Sequence, residues 1–114
     1  MEKDTNKEIN TENMVRVTIA QWVASTPQEL IQEVENLKDY LLEQPADILL
    51  LPELPFSDWF PSLKDFDNDR WDEAEITHLH WIDRLETFGV PTIIGTRPKT
   101  GEDGTRYNSS CCWP

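Results

Sequence analysis

The feature that most limits the fold is a short apolar run within residues 46–51, which reads Ala-Asp-Ile-Leu-Leu-Leu. A run of this length is typical of a strand that is buried on both faces. Alternating β-branched residues over 14–22 predict an earlier strand. Between the two, Thr26 as N-cap, Pro27 at the first helical position and Glu29 form a capping box that opens a helix. Strand, helix and strand in this length indicate a βαβ unit with a parallel strand pair.

The rest of the chain predicts a second helix and two further strands. The helix begins near Asn68, and Gly89 ends it. A buried strand over residues 90–95, a turn over 98–104 that contains proline and glycine, and a last strand over 106–113 follow. The apolar stripes of the two helices are Leu30, Val34, Leu37 and Leu41, and then Trp71, Ala74, His78, Ile82, Leu85 and Phe88. The predicted order βαβαββ defines an α/β layered protein with a mainly buried sheet.

The composition limits the class of protein. The chain has 114 residues, 22 acidic against 10 basic side chains, and a formal net charge of -12. This length supports one domain, assigned to residues 14–114, after a polar segment 1–13 that we expect to be a disordered tail. A strongly acidic chain repels the phosphate backbone, so we expect no nucleic-acid partner. No apolar stretch approaches about 18 residues and there is no signal peptide, so we expect no membrane partner and a cytoplasmic location.

Glu53 is the most informative single residue. It follows the predicted strand over 46–51 after one proline, and Leu54, Pro55 and Phe56 come next. Ligands bind at the carboxyl ends of strands in α/β sheets, which favours a functional role. Apolar neighbours would disfavour the charged carboxylate and raise its proton affinity toward that of a general base. The alternative is a side chain that reaches solvent at the start of a loop, and the residues alone do not decide between the two.

Several short motifs around Glu53 occur in a fixed order along residues 15–114. They are Ala20-Gln21, Asn36 in the first helix, Ala46-Asp47, Pro52-Glu53-Leu54, Ile93-Ile94-Gly95 and Tyr107-Asn108-Ser109. In this order the chain resembles the N-terminal portion of the nitrilase superfamily, the carbon–nitrogen hydrolases. The resemblance implies an α/β fold that is part of an αββα sandwich.

The resemblance also implies a chemistry. Members of the family use a Glu-Lys-Cys triad in which Glu is the general base, Lys stabilises the tetrahedral intermediate and Cys attacks an amide or nitrile carbon. By this resemblance Glu53 is the general base. The substrate is expected to be a small amide, carbamoyl compound or nitrile, with no cofactor or metal, and the full-length form is expected to be a homo-oligomer. The family's Lys and Cys come after the Tyr-Asn-Ser strand, whereas Lys99 precedes it, so we expect the 114-residue chain alone to be inactive.

Phe56 and Trp59 are the candidates for the wall of the substrate pocket, because the corresponding segment borders the active site in the family. Simple core packing is an almost equally good interpretation of Trp59. Cys111 and Cys112 are adjacent, which excludes a useful disulfide loop, and we interpret them as residues of a strand, one facing the core.

Other polar residues have structural interpretations. His78 and His80 lie two apart on a helix and point to opposite sides, so they cannot share a metal ion. We expect His78 at the edge of the core and His80 in solvent. Residues 58–75 hold seven acidic and two basic side chains, which we attribute to helix capping and solvation.

Two alternative functions remain at this point. The first is a metal-dependent phosphoesterase of the endonuclease/exonuclease/phosphatase type, in which a Glu after an apolar strand binds magnesium. Gln21-Trp22 at the end of the first strand and Pro52 before Glu53 both depart from the pattern of that family. The second alternative is a non-catalytic, truncated product.

Overall fold

The computed structural model describes residues 14–58 and 68–114. The polar segment 1–13, predicted to be disordered, lies outside the described residues. The elements in chain order are β1 (Val17–Ile19), α1 (Pro27–Glu43), β2 (Ile48–Leu50), α2 (Asn68–Ile82), a 3-10 helix (Leu85–Phe88), β3 (Thr92–Thr100) and β4 (Arg106–Trp113). The order βαβαββ predicted from the sequence is therefore present, with the 3-10 helix added.

The strands form one sheet in the order β1-β2-β3-β4. Strand β2 pairs in parallel with both β1 and β3, as the βαβ pattern predicts. Strands β3 and β4 form an antiparallel hairpin. The predicted turn starts too early, because β3 continues through Pro98 to Thr100. Pairing with β2 stops at Ile94, so Pro98 lies where β3 pairs only with β4, an edge position at which proline is tolerated.

Helix α1 begins with the capping box that the sequence predicts. The Thr26 hydroxyl accepts a hydrogen bond from the backbone N–H of Glu29 at 3.1 Å. The Glu29 carboxylate accepts one from the N–H of Ser25 at 2.7 Å, one residue before the N-cap. The helix buries the predicted stripe of Leu30, Val34, Leu37 and Leu41.

The second helix is shorter than predicted. Helix α2 ends at Ile82, and a separate 3-10 helix carries Leu85 and Phe88, both buried. Side chains three residues apart eclipse each other in a 3-10 helix, so this geometry turns Leu85 and Phe88 to the same side. Gly89 ends that 3-10 helix, with a φ of 72° that a glycine adopts without strain.

The two faces of the sheet differ in burial. Leu49 of β2 and Ile93 of β3 pack into the main core cluster, with α1 and the 3-10 helix. On the opposite face Ile48 and Leu50 are only half-buried, and Val17 and Ile19 are 49% and 66% exposed. The prediction that the strand over 46–51 is buried on both faces is therefore wrong for the described chain. Helices cover one face, and the other face is apolar and open.

Alanine substitution tests this assignment of faces. Leu49 is completely buried, and we expect Leu49→Ala to lower the free energy of unfolding by about 2–5 kcal/mol. Ile19→Ala on the open face is the matched control, with an expected change below about 1 kcal/mol. Urea unfolding followed by tryptophan fluorescence measures both variants. Equal losses would contradict the assignment.

Candidate functional site

Glu53 lies just beyond the carboxyl end of β2. Its side chain is exposed, so the interpretation in which the carboxylate reaches solvent is the one that the structure shows. The side-chain amide of Asn108, on β4, donates a hydrogen bond to Oε2 of Glu53. Two motifs 55 residues apart in sequence are thereby brought together. A carboxylate at the carboxyl end of a parallel strand, held in one orientation by an amide, is suited to accepting a proton or binding a cation.

Leu54 has unusual backbone geometry. Its φ is 45°, in the left-handed region that a leucine adopts only at a cost. The hydroxyl of Thr96, on β3, accepts a hydrogen bond from the N–H of Leu54 at 2.8 Å. The Leu54 side chain is buried in a small cluster with Trp71 and Ala74 of α2. These contacts hold the chain in a strained conformation directly beside Glu53.

The next two residues are also fixed by side chains from other parts of the fold. The indole N–H of Trp22, which follows β1, donates to the carbonyl oxygen of Pro55 at 2.8 Å. Nε2 of His78, on α2, accepts a hydrogen bond from the backbone N–H of Phe56 at 3.2 Å. We call residues 53–56 the Glu53 loop. Each of its four residues has a hydrogen bond with a side chain from a distant part of the sequence.

His78 is more deeply buried than the sequence indicated. Its exposure is 0%, so its predicted place at the edge of the core is wrong. Because Nε2 accepts from Phe56, Nδ1 carries the proton and donates it to the carbonyl oxygen of Ala74 at 2.8 Å. Burial is the main cause that lowers the pKa of His78 from 6.5 to about 4. The hydrogen bond to Ala74 raises this pKa, and the charge of Arg97 lowers it further. His80 is exposed, as predicted.

A cleft of about 490 Å³ opens beside the loop, between the start of α1 and helix α2. Phe56, Ser57 and Asp58 form part of its wall, and so does Arg70, which pairs with Asp58. The Phe56 side chain itself is 1% exposed and packs in the main core. Its predicted role as a substrate-pocket residue remains a prediction. Trp59, the other predicted pocket residue, lies outside the described residues.

The remaining candidate groups have separate places. Cys111 is half-buried and Cys112 is exposed. Over residues 14–58 and 68–114, no group of three or more His, Cys, Asp or Glu side chains could hold a metal ion. None of the helices in those same ranges is long and apolar enough to cross a membrane.

Glu75 has a structural contact that its place in the acidic segment did not reveal. Its carboxylate accepts hydrogen bonds from both the N–H and the hydroxyl of Thr100, each at 2.9 Å. The same hydroxyl accepts from the indole of Trp71 at 2.9 Å. The Glu75 side chain therefore links α2 to the end of β3 by hydrogen bonds.

Comparisons with known proteins find a likeness at the level of the fold. No protein-family model matches the chain, and no curated protein does. The structure of the NitN amidase from Neterenkonia sp. AN1 matches at a TM-score of 0.50 and 22% identity, over 83% of this chain and 44% of that one. An amidase from Nesterenkonia sp. matches at a TM-score of 0.49 and 25% identity, over 75% of this chain and 32% of that one. The chain spans less than half the length of these amidases. Over the matched part it has an amidase-like α/β fold.

The buried histidine predicts a loss of stability in acid. The folded pKa of about 4 lies below the reference value of 6.5, so the unfolded chain binds a proton more readily than the folded one. His78 therefore contributes its full stability above pH 6.5, and this contribution falls as the pH drops toward 4. Between pH 7 and 4.5 the expected loss from this residue is about 2 kcal/mol.

Urea unfolding of the wild-type chain and His78→Gln at the two pH values isolates this loss from the titration of the carboxylates. The wild type should lose more stability than the variant. Parallel pH profiles for the two proteins would refute the assignment of the buried neutral imidazole.

Proposed function

We propose that residues 14–114 are the N-terminal part of a carbon–nitrogen hydrolase domain, in which Glu53 is the general base of a Glu-Lys-Cys mechanism. The observation that carries this proposal is the pairing of Glu53 with Asn108 at the carboxyl end of β2. These two residues belong to the Pro-Glu and Tyr-Asn-Ser motifs on which the resemblance to nitrilases rests. The amidase-like fold supports the same class of enzyme.

The proposed chemistry uses Glu53 to take the proton from a cysteine thiol. A thiolate is the form that attacks the carbon of an amide, carbamoyl group or nitrile, and a nearby base is needed to generate it at neutral pH. A lysine ammonium would then stabilise the developing charge on the tetrahedral intermediate. Asn108 donates to one oxygen of Glu53 and so orients the carboxylate for proton transfer. Both the lysine and the cysteine would come from sequence beyond the Tyr-Asn-Ser strand.

The open face of the sheet supports a larger domain. Val17, Ile19 and Ile94 are apolar and exposed there, while the opposite face is covered by helices. An apolar surface of this kind favours burial against another layer. In the proposed domain a second sheet covers it and completes an αββα sandwich. We also propose that this domain assembles into a homo-oligomer and acts in the cytoplasm.

Substitution of Glu53 tests the catalytic assignment. In a polypeptide extended through its reading frame to include the proposed Lys and Cys, Glu53→Gln should lower kcat for hydrolysis of a small amide by about 10²–10⁴-fold, because the base is lost. Glu102→Gln, the same change at an exposed residue of the hairpin loop, is the matched control and should retain full activity. The 114-residue chain alone should show no activity.

Three outcomes would contradict the proposal. One is full activity of Glu53→Gln, and another is thiol-dependent amide hydrolysis by the 114-residue chain alone. The third is magnesium binding, measured by calorimetry, that is present in the wild type and lost in Glu53→Gln. This last result would favour the metal-dependent phosphoesterase instead.

A charge on the open face tests the proposed second layer. Apolar faces without cover promote self-association, so the 114-residue chain should associate at micromolar concentration, and Ile19→Lys should reduce this. Ile76→Lys, at an equally exposed position of α2 (69% against 66%), is the control and should leave association unchanged. Sedimentation velocity measures the difference. A monomeric wild-type chain would argue against an uncovered docking face.

A further inference from the structure

We infer that His78 is a positioning residue for Glu53, acting through the backbone N–H of Phe56. The inference rests on the proposed role of Glu53. It adds that the geometry of this site depends on a contact from helix α2. His78 lies on α2, 22 residues beyond Phe56 in sequence. Its Nε2 binds α2 directly to the backbone of the Glu53 loop.

The hydrogen bond requires one tautomer of the imidazole. The Phe56 N–H points at Nε2 at 3.2 Å, so Nε2 must present a lone pair. The carbonyl oxygen of Ala74 lies 2.8 Å from Nδ1 and accepts its proton. Each ring nitrogen thus has a partner of the opposite kind, and the tautomer is fixed by the helix itself. Protonation of Nε2 would place two N–H donors against each other.

The environment of the ring keeps it in this form. His78 is completely buried, and burial disfavours the charged imidazolium. The charged group of β3 that acts on it is Arg97, which also disfavours a second positive charge. The neutral acceptor is therefore present throughout the pH range in which a cysteine-dependent hydrolase would work.

Ring contacts with α2 also hold Phe56 in place. The Phe56 ring meets His78 edge-on, with centroids 5.5 Å apart. It stacks on Trp81, one helical turn further along α2, at 5.7 Å. An apolar residue at position 78 would keep much of this packing but would leave the Phe56 N–H buried without an acceptor, which costs more than the bond itself contributes. The acceptor atom is what distinguishes His78 from a simple core residue.

The effect reaches Glu53 through a short, constrained backbone. Only Leu54 and Pro55 separate Glu53 from Phe56. Leu54 is held at a φ of 45°, and proline has a fixed φ. Few backbone angles are therefore free to absorb a displacement of the Phe56 N–H, and we expect such a displacement to change the position of the Glu53 carboxylate against Asn108.

Amide hydrogen exchange and side-chain NMR of the 114-residue chain carrying Ile19→Lys, the change expected to reduce its association, test this inference without any assay of activity. His78→Leu removes the acceptor, and His78→Gln offers a side-chain oxygen at a similar reach. In the Leu variant the Phe56 amide should exchange about tenfold faster than the change in global stability explains. The side-chain amide resonances of Asn108 should shift toward those of a Glu53→Gln chain. The Gln variant should restore both readouts in large part.

Val34→Ala is the matched control, because it destabilises the buried face of α1 without removing a hydrogen-bond partner of the Glu53 loop. It should leave the Asn108 resonances unchanged. If the Leu variant does not fold, the chain with His78 intact still tests the hydrogen bond on which the inference rests. At pH 7 the ¹⁵N resonance of Nε2 should be that of an unprotonated nitrogen, with a scalar coupling to the Phe56 N–H across the hydrogen bond.

A protonated Nε2 would overturn the inference, and so would unchanged Asn108 resonances in a folded His78→Leu chain. The result is separable from that of the hydrolase proposal. If the hydrolase assay finds no activity but the Asn108 resonances shift in His78→Leu, the positioning role holds and the catalytic role of Glu53 is rejected. If the assay finds activity and the resonances do not shift, the catalytic role holds and the positioning role is rejected.

Discussion

The rest of the structure depends on the parallel pairing of β2 with both of its neighbours. The strand has only three residues, but it lies between β1 and β3, and its middle residue, Leu49, is completely buried. One step beyond the strand, the N–H of Leu51 still donates to the carbonyl of Ile94 at 2.9 Å. The chain therefore enters the Glu53 loop from a fixed position and in a fixed direction.

The Glu53 loop is held by contacts that converge from β3, β4, α2 and the segment after β1. The left-handed conformation of Leu54 costs on the order of 1–3 kcal/mol. The hydrogen bonds that the loop makes with Thr96, Trp22 and His78 each contribute about 1 kcal/mol, enough together to offset that cost. A strained conformation of this kind next to an exposed carboxylate is typical of a site in which the orientation of the carboxylate matters. The same contacts make the position of Glu53 dependent on the whole fold.

The unequal faces of the sheet relate the site to its surroundings. Helices cover the face of Leu49 and Ile93, whereas Val17, Ile19 and Ile94 lie open on the other. Glu53 follows the carboxyl end of β2, whose half-buried Ile48 and Leu50 lie on this open face. The proposed second sheet would then both bury the apolar face and bring further catalytic groups to the site.

The sequence by itself determined the order of elements, the cap and buried stripe of α1, and Glu53 as the residue to examine, because local hydrophobic period and capping chemistry act over a few residues. It placed the end of α2 and the start of the last turn incorrectly, since a 3-10 helix and an edge strand that tolerates Pro98 depend on neighbours distant in sequence. It also left the exposure of Glu53 open. Only the tertiary structure decided that Asn108 meets Glu53 and that His78 is a buried acceptor for Phe56. Those contacts join residues 55 and 22 positions apart, and no local pattern encodes which distant groups will meet.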